Sequence, residues 1–504
     1  MLVVAPHGGQ RDPAPPAQRA RPGERDRKVN DLRTADLAEE LADALGAACI
    51  VNPTLDRNQL DLNRISQVTA RAPWFLALIE ALLDDILARH PRAEVLFLHG
   101  WNVIQPKCDI GVGHTFASAA AAHSSTEALT VSPEYVAARL EALRLHCARA
   151  GIAATFGERY PARHPNNLLQ LFRHRTERPP AVPRLAQWAA ARRVEAVQLE
   201  LGVAVRWPGT YRRGFLRAAA AAFSGAAPPP RAPRAAPHPV PPLPPPASLQ
   251  LYDPEAAVGL TARVDRVGPR GVTGRLLLLL GRRRQALFIG EDRGGDAVSD
   301  GPRFTAVEEG FRLRFHGPAL ATSDGTLYLD LEQAFAASRL CAVDVDLLFR
   351  PGLSADYGAT TGWVEVDGRR SRIAAYAFAR HGVAQRSHGA WSSQLALSAA
   401  FGPERALRLR HEFPGTGVLY ELTARGEAAR PLLPLTVRFD GDRYTPARIA
   451  VGGGALLLCA PLTRMVVTRL LGPHRQARVT FGAGRFWSGG ARGFGFYEYA
   501  RVLA

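Results

Sequence analysis

Leu2-Val3-Val4-Ala5-Pro6-His7-Gly8-Gly9, residues 2–9, opens the chain with a short apolar run that stops at a histidine and two glycines. Four apolar residues before a proline suit a buried strand, and the glycines allow a sharp turn with room beside the imidazole. Val95-Leu96-Phe97-Leu98-His99-Gly100 repeats the device. Val197-Gln198-Leu199-Glu200-Leu201 puts a carboxylate inside an apolar strand, which is costly unless a metal, a cation or a donor compensates. Around these three runs, further strands are predicted at Cys49 to Asn52 and Ala153 to Phe156. Helices are predicted over Thr34 to Leu45, Trp74 to Arg89, Pro133 to Ala150, Arg184 to Arg193 and Tyr211 to Phe223. Ser132-Pro133-Glu134 supplies a start signal for the third: a capping oxygen, a proline at the first helical position and an acid at the positive dipole end. The alternation predicts an α/β domain with a parallel or mixed sheet, in which ligands gather beyond the carboxyl ends of the strands.

At 504 residues the chain exceeds one ordinary core, and two or three units are expected. Pro-Pro-Pro-Arg-Ala-Pro and Pro-Pro-Leu-Pro-Pro-Pro fall within Ser224 to Ser248 and exclude both helix and sheet ladder. The predicted division is therefore a domain at 1–223, a proline-rich linker at 224–248 and a β-rich domain at 249–504. A second Pro- and Arg-rich stretch, Gln10 to Val29, reads as a surface loop or lid of the first domain. After the linker the apolar period changes to two, as in Thr326 to Leu331, Gly362 to Val366, Ala406 to His411 and Leu435 to Phe439. Turn signals such as Ser323-Asp324-Gly325, Asp367-Gly368 and Asp440-Gly441 separate these runs, so a sandwich or barrel is expected.

The formal charge of +17 raises the question of a polyanionic partner. Of the 63 basic residues only Lys28 and Lys107 are lysine, and the arginines are scattered rather than gathered into a stripe. The densest run, Arg282-Arg283-Arg284, is short and reads as a solvated turn, so no nucleic-acid partner is expected. Five cysteines, Cys49, Cys108, Cys147, Cys341 and Cys459, are an odd number without close pairs. That argues against a disulfide framework and for a reducing compartment. No signal peptide is read at the N-terminus, and apolar runs such as Leu276 to Leu280 are too short for a membrane span. A cytoplasmic protein is expected.

Taken singly, a strand-end histidine is more often a hydrogen-bonded or solvent-facing residue than a ligand. Two such endings and a buried glutamate in one α/β domain change that balance, because two imidazoles and a carboxylate are a usual catalytic zinc set. Asp12 and Asp31 compete for the acidic position: the first lies close after His7, the second just before the Thr34 helix. Asn63-Arg64, in Leu60-Asp61-Leu62-Asn63-Arg64, could grip a substrate carboxylate through paired hydrogen bonds. The plain alternative is a structural pair of Asp61 with Arg64.

Pro-His-Gly-Gly, Asp-Leu-Asn-Arg, His-Gly followed by Asp109-Ile110-Gly111, and Gln-Leu-Glu-Leu together resemble the N-formylglutamate amidohydrolase family, which is similar to the carboxypeptidase A-like zinc peptidases. The resemblance covers about residues 1–223 and implies a zinc carboxypeptidase-like mixed sheet. It implies Zn2+ on His7, Asp31 and His99, with Asp12 as the alternative acid, Asn63 and Arg64 binding substrate, and Glu200 as general base. It also implies a zinc-dependent hydrolase acting on a small amide with a free carboxylate. The family often has Asp-x-His-Ser where this chain has Leu98-His99-Gly100-Trp101. Residues 249–504 resemble the lipocalin-like double barrels of the hydroxyneurosporene synthase and tocopherol cyclase group. Gly362-Trp363-Val364-Glu365-Val366-Asp367-Gly368, Arg386-Ser387-His388-Gly389-Ala390-Trp391 and Gly495-Phe496-Tyr497-Glu498-Tyr499 carry that likeness. It implies the alternative function: an all-β barrel that binds or hydrates an apolar, isoprenoid-like ligand beside a non-catalytic N-terminal domain.

Overall fold

The computed structural model describes residues 1–8, 29–116, 118, 121, 129–175, 181–225, 247–267, 271–281, 284–293, 300–323, 331–381, 392–413, 417–431, 435–439, 446–452, 456–472 and 475–502. The described residues up to 225 form one compact unit and those from 247 onward a second. Asp12, the 386–391 motif with His388, the turn at 440–441 and most of the expected lid and linker lie outside the described residues.

The first unit is built on six strands: β1 (Leu2–Ala5), β2 (Ala48–Val51), β3 (Ala93–Gly100), β4 (Lys107–Gly111), β5 (Ala153–Thr155) and β6 (Val194–Leu201). Their order is β2-β1-β3-β6-β4-β5. The first four in that order run parallel, β4 runs antiparallel to β6, and β5 is parallel to β4. The sheet is therefore mixed, as expected. Two layers of helix cover it, because alternate residues of each strand point to opposite faces. Val3 and Ala5 pack with α1 (Thr34–Leu45), while Leu2 and Val4 pack with α3 (Pro73–Arg89), which follows the short α2 (Ile65–Arg71).

Helix α1 ends at Gly46, whose φ of 59° is the left-handed conformation that lets its N–H reach the last-turn carbonyls. The single helix expected from Pro133 is divided: α4 (Pro133–Tyr135) passes through a π turn, Val136–Leu140, into α5 (Glu141–Arg149). Ser132 does cap its start, accepting from the Tyr135 N–H at 3.3 Å. The unit closes with α6 (Pro183–Ala190), α7 (Val203–Arg206) and α8 (Thr210–Ser224).

Among the described residues the second unit holds β7 to β24, in two nine-stranded antiparallel sheets, and one helix, α9 (Leu331–Ala337). Leu331, expected to end a strand, starts this helix instead. In the first sheet β7 (Ala247–Asp253), β8 (Val258–Val267), β9 (Gly271–Leu280) and β10 (Arg284–Arg293) follow as hairpins. On the other side, β12 (Gly310–Thr322), β13 (Arg339–Ser354), β14 (Tyr357–Val366) and β15 (Arg369–His381) lead back to β7. Strand β10 also pairs with β12 through Gln285↔Thr322, Ala286↔Ala321 and Leu287↔Leu320. That ladder closes an eight-stranded ring, with β11 (Arg303–Val307) attached to the far end of β12. Closure removes the sheet edges that would otherwise invite further pairing.

The second sheet comprises β16 (Ser393–Ala400), β17 (Arg405–Phe413), β18 (Gly417–Thr423), β19 (Gly426–Pro431), β20 (Leu435–Phe439), β21 (Pro446–Val451), β22 (Leu456–Gly472), β23 (Arg475–Ser488) and β24 (Ala491–Val502). Leu397 and Leu409 share a core with Ile449 and Val451, from strands far apart in the sheet order. The sheet therefore curls over one apolar interior, although among the described residues its end strands β19 and β20 each pair with one neighbour only.

Candidate functional site

The sheet of the first unit delivers its polar residues to one end. Register pairs His99 with Glu200 across β3 and β6, and His7 lies two residues beyond β1, the other neighbour of β3. Asp31 reaches the same place because its backbone is tied on both sides. Its N–H donates to the His7 carbonyl at 3.1 Å, and its own carbonyl accepts from the Thr34 hydroxyl at 2.7 Å where α1 begins.

One Asp31 oxygen, Oδ2, lies 3.1 Å from Nδ1 of His7 and 3.1 Å from Nδ1 of His99. The two imidazole centroids are 5.0 Å apart. Of the competing acids, Asp31 is the one the described structure brings to both histidines. The other Asp31 oxygen accepts from Arg57 Nη1 at 2.8 Å. All three of His7, Asp31 and His99 are buried, and each offers a ligand atom within 4.8 Å of the others. His99 Nε2 is buried without a hydrogen-bond partner.

Burial alone would raise the Asp31 carboxyl, but Arg57 and the hydrogen bonds from both histidines outweigh it and hold it well below the ordinary carboxylate range. An ionised acid between two imidazole nitrogens is a donor set that fits a divalent cation of borderline softness. Glu200 behaves oppositely. Burial, opposed by His99 and aided by Asp31, pushes its carboxyl up to about 7, and Gln198 donates to it at 2.8 Å.

Asn63 and Arg64 are differently engaged from the sequence reading. Asn63 Oδ1 accepts from the Leu168 N–H at 3.3 Å, so its amide oxygen closes the loop before the 3₁₀ turn Leu168–Phe172. Arg64 lies 3.8 Å from Asp61 and donates to the Asn63 carbonyl at 3.4 Å. Asp61, read from sequence only as a surface partner of Arg64, is buried, and its Oδ1 lies 2.7 Å from His7 Nε2. His7, Arg57 and Arg64 hold its carboxyl below the ordinary range against the opposing effect of burial.

Arg57, Gln198 and Arg206 were also missed. The buried Arg206 donates to the carbonyls of Leu201, Leu32 and Trp101, linking the segments that carry Glu200, Asp31 and His99. A Cβ at Gly100 would come within 2.6 Å of its guanidinium, which explains the glycine after His99. Asp109 proves to be a loop anchor, accepting from the N–H groups of Glu158, Arg159 and Tyr160 at 2.7–2.9 Å.

No family model and no curated protein matches the chain. Among solved structures, an AttH candidate from Nitrosomonas europaea is similar at 11% identity, over 50% of this chain and 90% of that one, with a TM-score of 0.29. Kievitone hydratase from Nectria haematococca is similar at 12% identity over 51% and 87%, TM-score 0.29. CghA, solved with the compound Sch210972, is similar at 10% identity over 51% and 88%, TM-score 0.30.

The sequence reading of a zinc-dependent amidohydrolase, with a carboxylate-bearing amide as its substrate, is corrected on the chain's own geometry. The physical reason lies in the short motifs behind it: Asn63 is spent on a backbone amide and Arg64 on Asp61 and a neighbouring carbonyl. At such TM-scores the likeness to these structures carries no assignment. Among the described residues no helix is long and apolar enough to cross a membrane.

Proposed function

We propose that the chain binds a small apolar molecule inside the closed ring of the second unit. The observation behind this is the agreement of register and burial around the ring. Leu251, Leu260, Leu278, Phe288, Phe315 and Val345, one from each of six successive strands, fall on the inward side and are buried. An eight-stranded barrel is wide enough either for its own side chains or for one small ligand. Small residues on the inward side favour the second: Ala375, Ala377 and Ala379 on β15, and Gly317, Ala319 and Ala321 on β12. The test is titration of the full chain with diphenylhexatriene, a hydrocarbon that fluoresces once out of water. Saturable binding of about one probe per chain, weakened tenfold or more by Ala377→Phe at unchanged circular dichroism, is expected. Absence of saturable binding, or indifference to the filling substitution, refutes the reading.

A second reading, for the first unit, is a divalent-cation site on His7, Asp31 and His99. It is supported by the convergence of three buried donors on one point and by the unpartnered His99 Nε2. Here Asp61 is a positioning residue. By accepting a hydrogen bond from the Nε2–H of His7 it would fix the tautomer whose Nδ1 lone pair faces the ion. Cobalt titration, with His99→Ala expected to abolish the ligand-field bands, tests the site independently of any activity.

A further inference from the structure

The inside of the ring carries a polar group, the Thr360 hydroxyl, that has no hydrogen-bond partner among the described residues. Thr360, on β14, is fully buried, and its hydroxyl has no hydrogen-bond partner. Its register partners are Phe349 on β13 and Ala375 on β15. Phe349 shares the inward side with Val345 and Leu347 and stacks on Phe311 at 4.9 Å between centroids, so Thr360 belongs to the same inward layer. Along β14 its neighbours on that side, Gly358 and Gly362, have no side chain to cover it, and Ala375 across the ladder offers only a methyl.

A buried hydroxyl without a partner costs about 1–3 kcal/mol relative to a satisfied one, and such groups in folded proteins call for an explanation. Valine has nearly the same shape and would fill this position without that cost. Ligand pockets show the same composition: mostly apolar walls with a few polar groups that fix orientation. A hydroxyl both donates and accepts, so its natural complement is a single oxygen function.

We infer that the ligand of the ring is an apolar molecule bearing one oxygen function, a ketone or a hydroxyl, which pairs with the Thr360 hydroxyl. The inference rests on the barrel-binding reading and names the chemistry of its ligand. Thr360 both discriminates and orients: a hydrocarbon of similar size enters but leaves the hydroxyl unpaired, whereas the oxygenated molecule satisfies it.

The experiment compares two probes on the full chain: Prodan, a naphthyl ketone, and diphenylhexatriene, a pure hydrocarbon. Thr360→Val is expected to weaken Prodan about tenfold, equivalent to ~1.4 kcal/mol, and to shift its bound emission to the blue as the ketone loses its donor. Diphenylhexatriene is expected to bind wild type and Thr360→Val within about twofold of each other, consistent with an unchanged apolar wall. Thr360→Ser, which keeps the hydroxyl, is expected to retain Prodan affinity and emission, and it carries the comparison if the valine variant does not fold. Equal Prodan affinity and emission in wild type and Thr360→Val, with both probes bound, overturns the role of Thr360 while leaving the barrel reading intact. Failure of both probes to bind wild type overturns both readings, whereas failure of Prodan alone, with diphenylhexatriene bound, overturns the inference about Thr360.

Discussion

The cluster at the strand ends of the first unit shows how differently one kind of side chain behaves at short range. Three carboxyls lie within reach of the two histidines. Asp31 and Asp61 are held ionised by imidazole and guanidinium partners, whereas Glu200 is raised to about 7 because burial dominates over its donors. The folded protein therefore keeps the Glu200 proton up to about pH 7, while an unfolded glutamate loses it near 4.5. Its contribution to stability is full below pH 4.5 and is lost as pH rises toward 7. Denaturant melts of the chelator-treated protein across that range, compared with Glu200→Gln, are expected to converge at low pH and to favour the variant at neutral pH; parallel curves would contradict the assignment. Asp61→Ala is expected to weaken cobalt binding by about 10–100-fold, because His7 loses the acceptor that fixes its tautomer. His7, His99 and Glu200 were legible because each ends or interrupts an apolar run. Asp61 and Arg57 were not, since each sits in a polar loop whose sequence looks like any solvated turn.

At the scale of elements, strands and helices of the first unit were readable wherever an apolar period was long. Strand β1 and helix α1 have the bounds their sequence predicts. Strand β4 was not readable: Lys107-Cys108-Asp109-Ile110-Gly111 is short and charged, and it becomes a strand only by pairing with β6 and β5. Nor was the π turn in the Pro133 helix visible, since its composition differs little from the flanking turns. The join of β1 to α1 explains one of the two glycines after His7. A Cβ at Gly8 would meet the Ala35 backbone N at 2.6 Å, so the chain must be bare there for α1 to start against the strand end. Gly8→Ala is expected to destabilise the protein by about 1–3 kcal/mol and to weaken cation binding, as α1 and Asp31 are pushed away. A thermal melt with a metal titration checks both, and an unchanged cobalt affinity would show that Asp31 is positioned by something else.

For the molecule as a whole, composition and period gave two units of different class, an α/β unit followed by a β-rich one. The closed ring itself could not be read, because closure depends on one ladder between β10 and β12, whose partners lie more than thirty residues apart in sequence. Strand period says which residues face inward but not whether the sheet meets its own edge. Nor does it distinguish a filled interior from one that admits a guest; the proposal of a guest rests on the small inward residues of β12 and β15 and on the Thr360 hydroxyl. The decisive measurement is a crystal of the full chain soaked with a brominated naphthyl ketone, with the bromine located by anomalous scattering. Binding inside the ring predicts one peak enclosed by β7 to β10 and β12 to β15, with the ketone oxygen within hydrogen-bonding distance of Thr360. Peaks confined to the outer surface or to the other unit, at concentrations where solution binding is saturated, would contradict it.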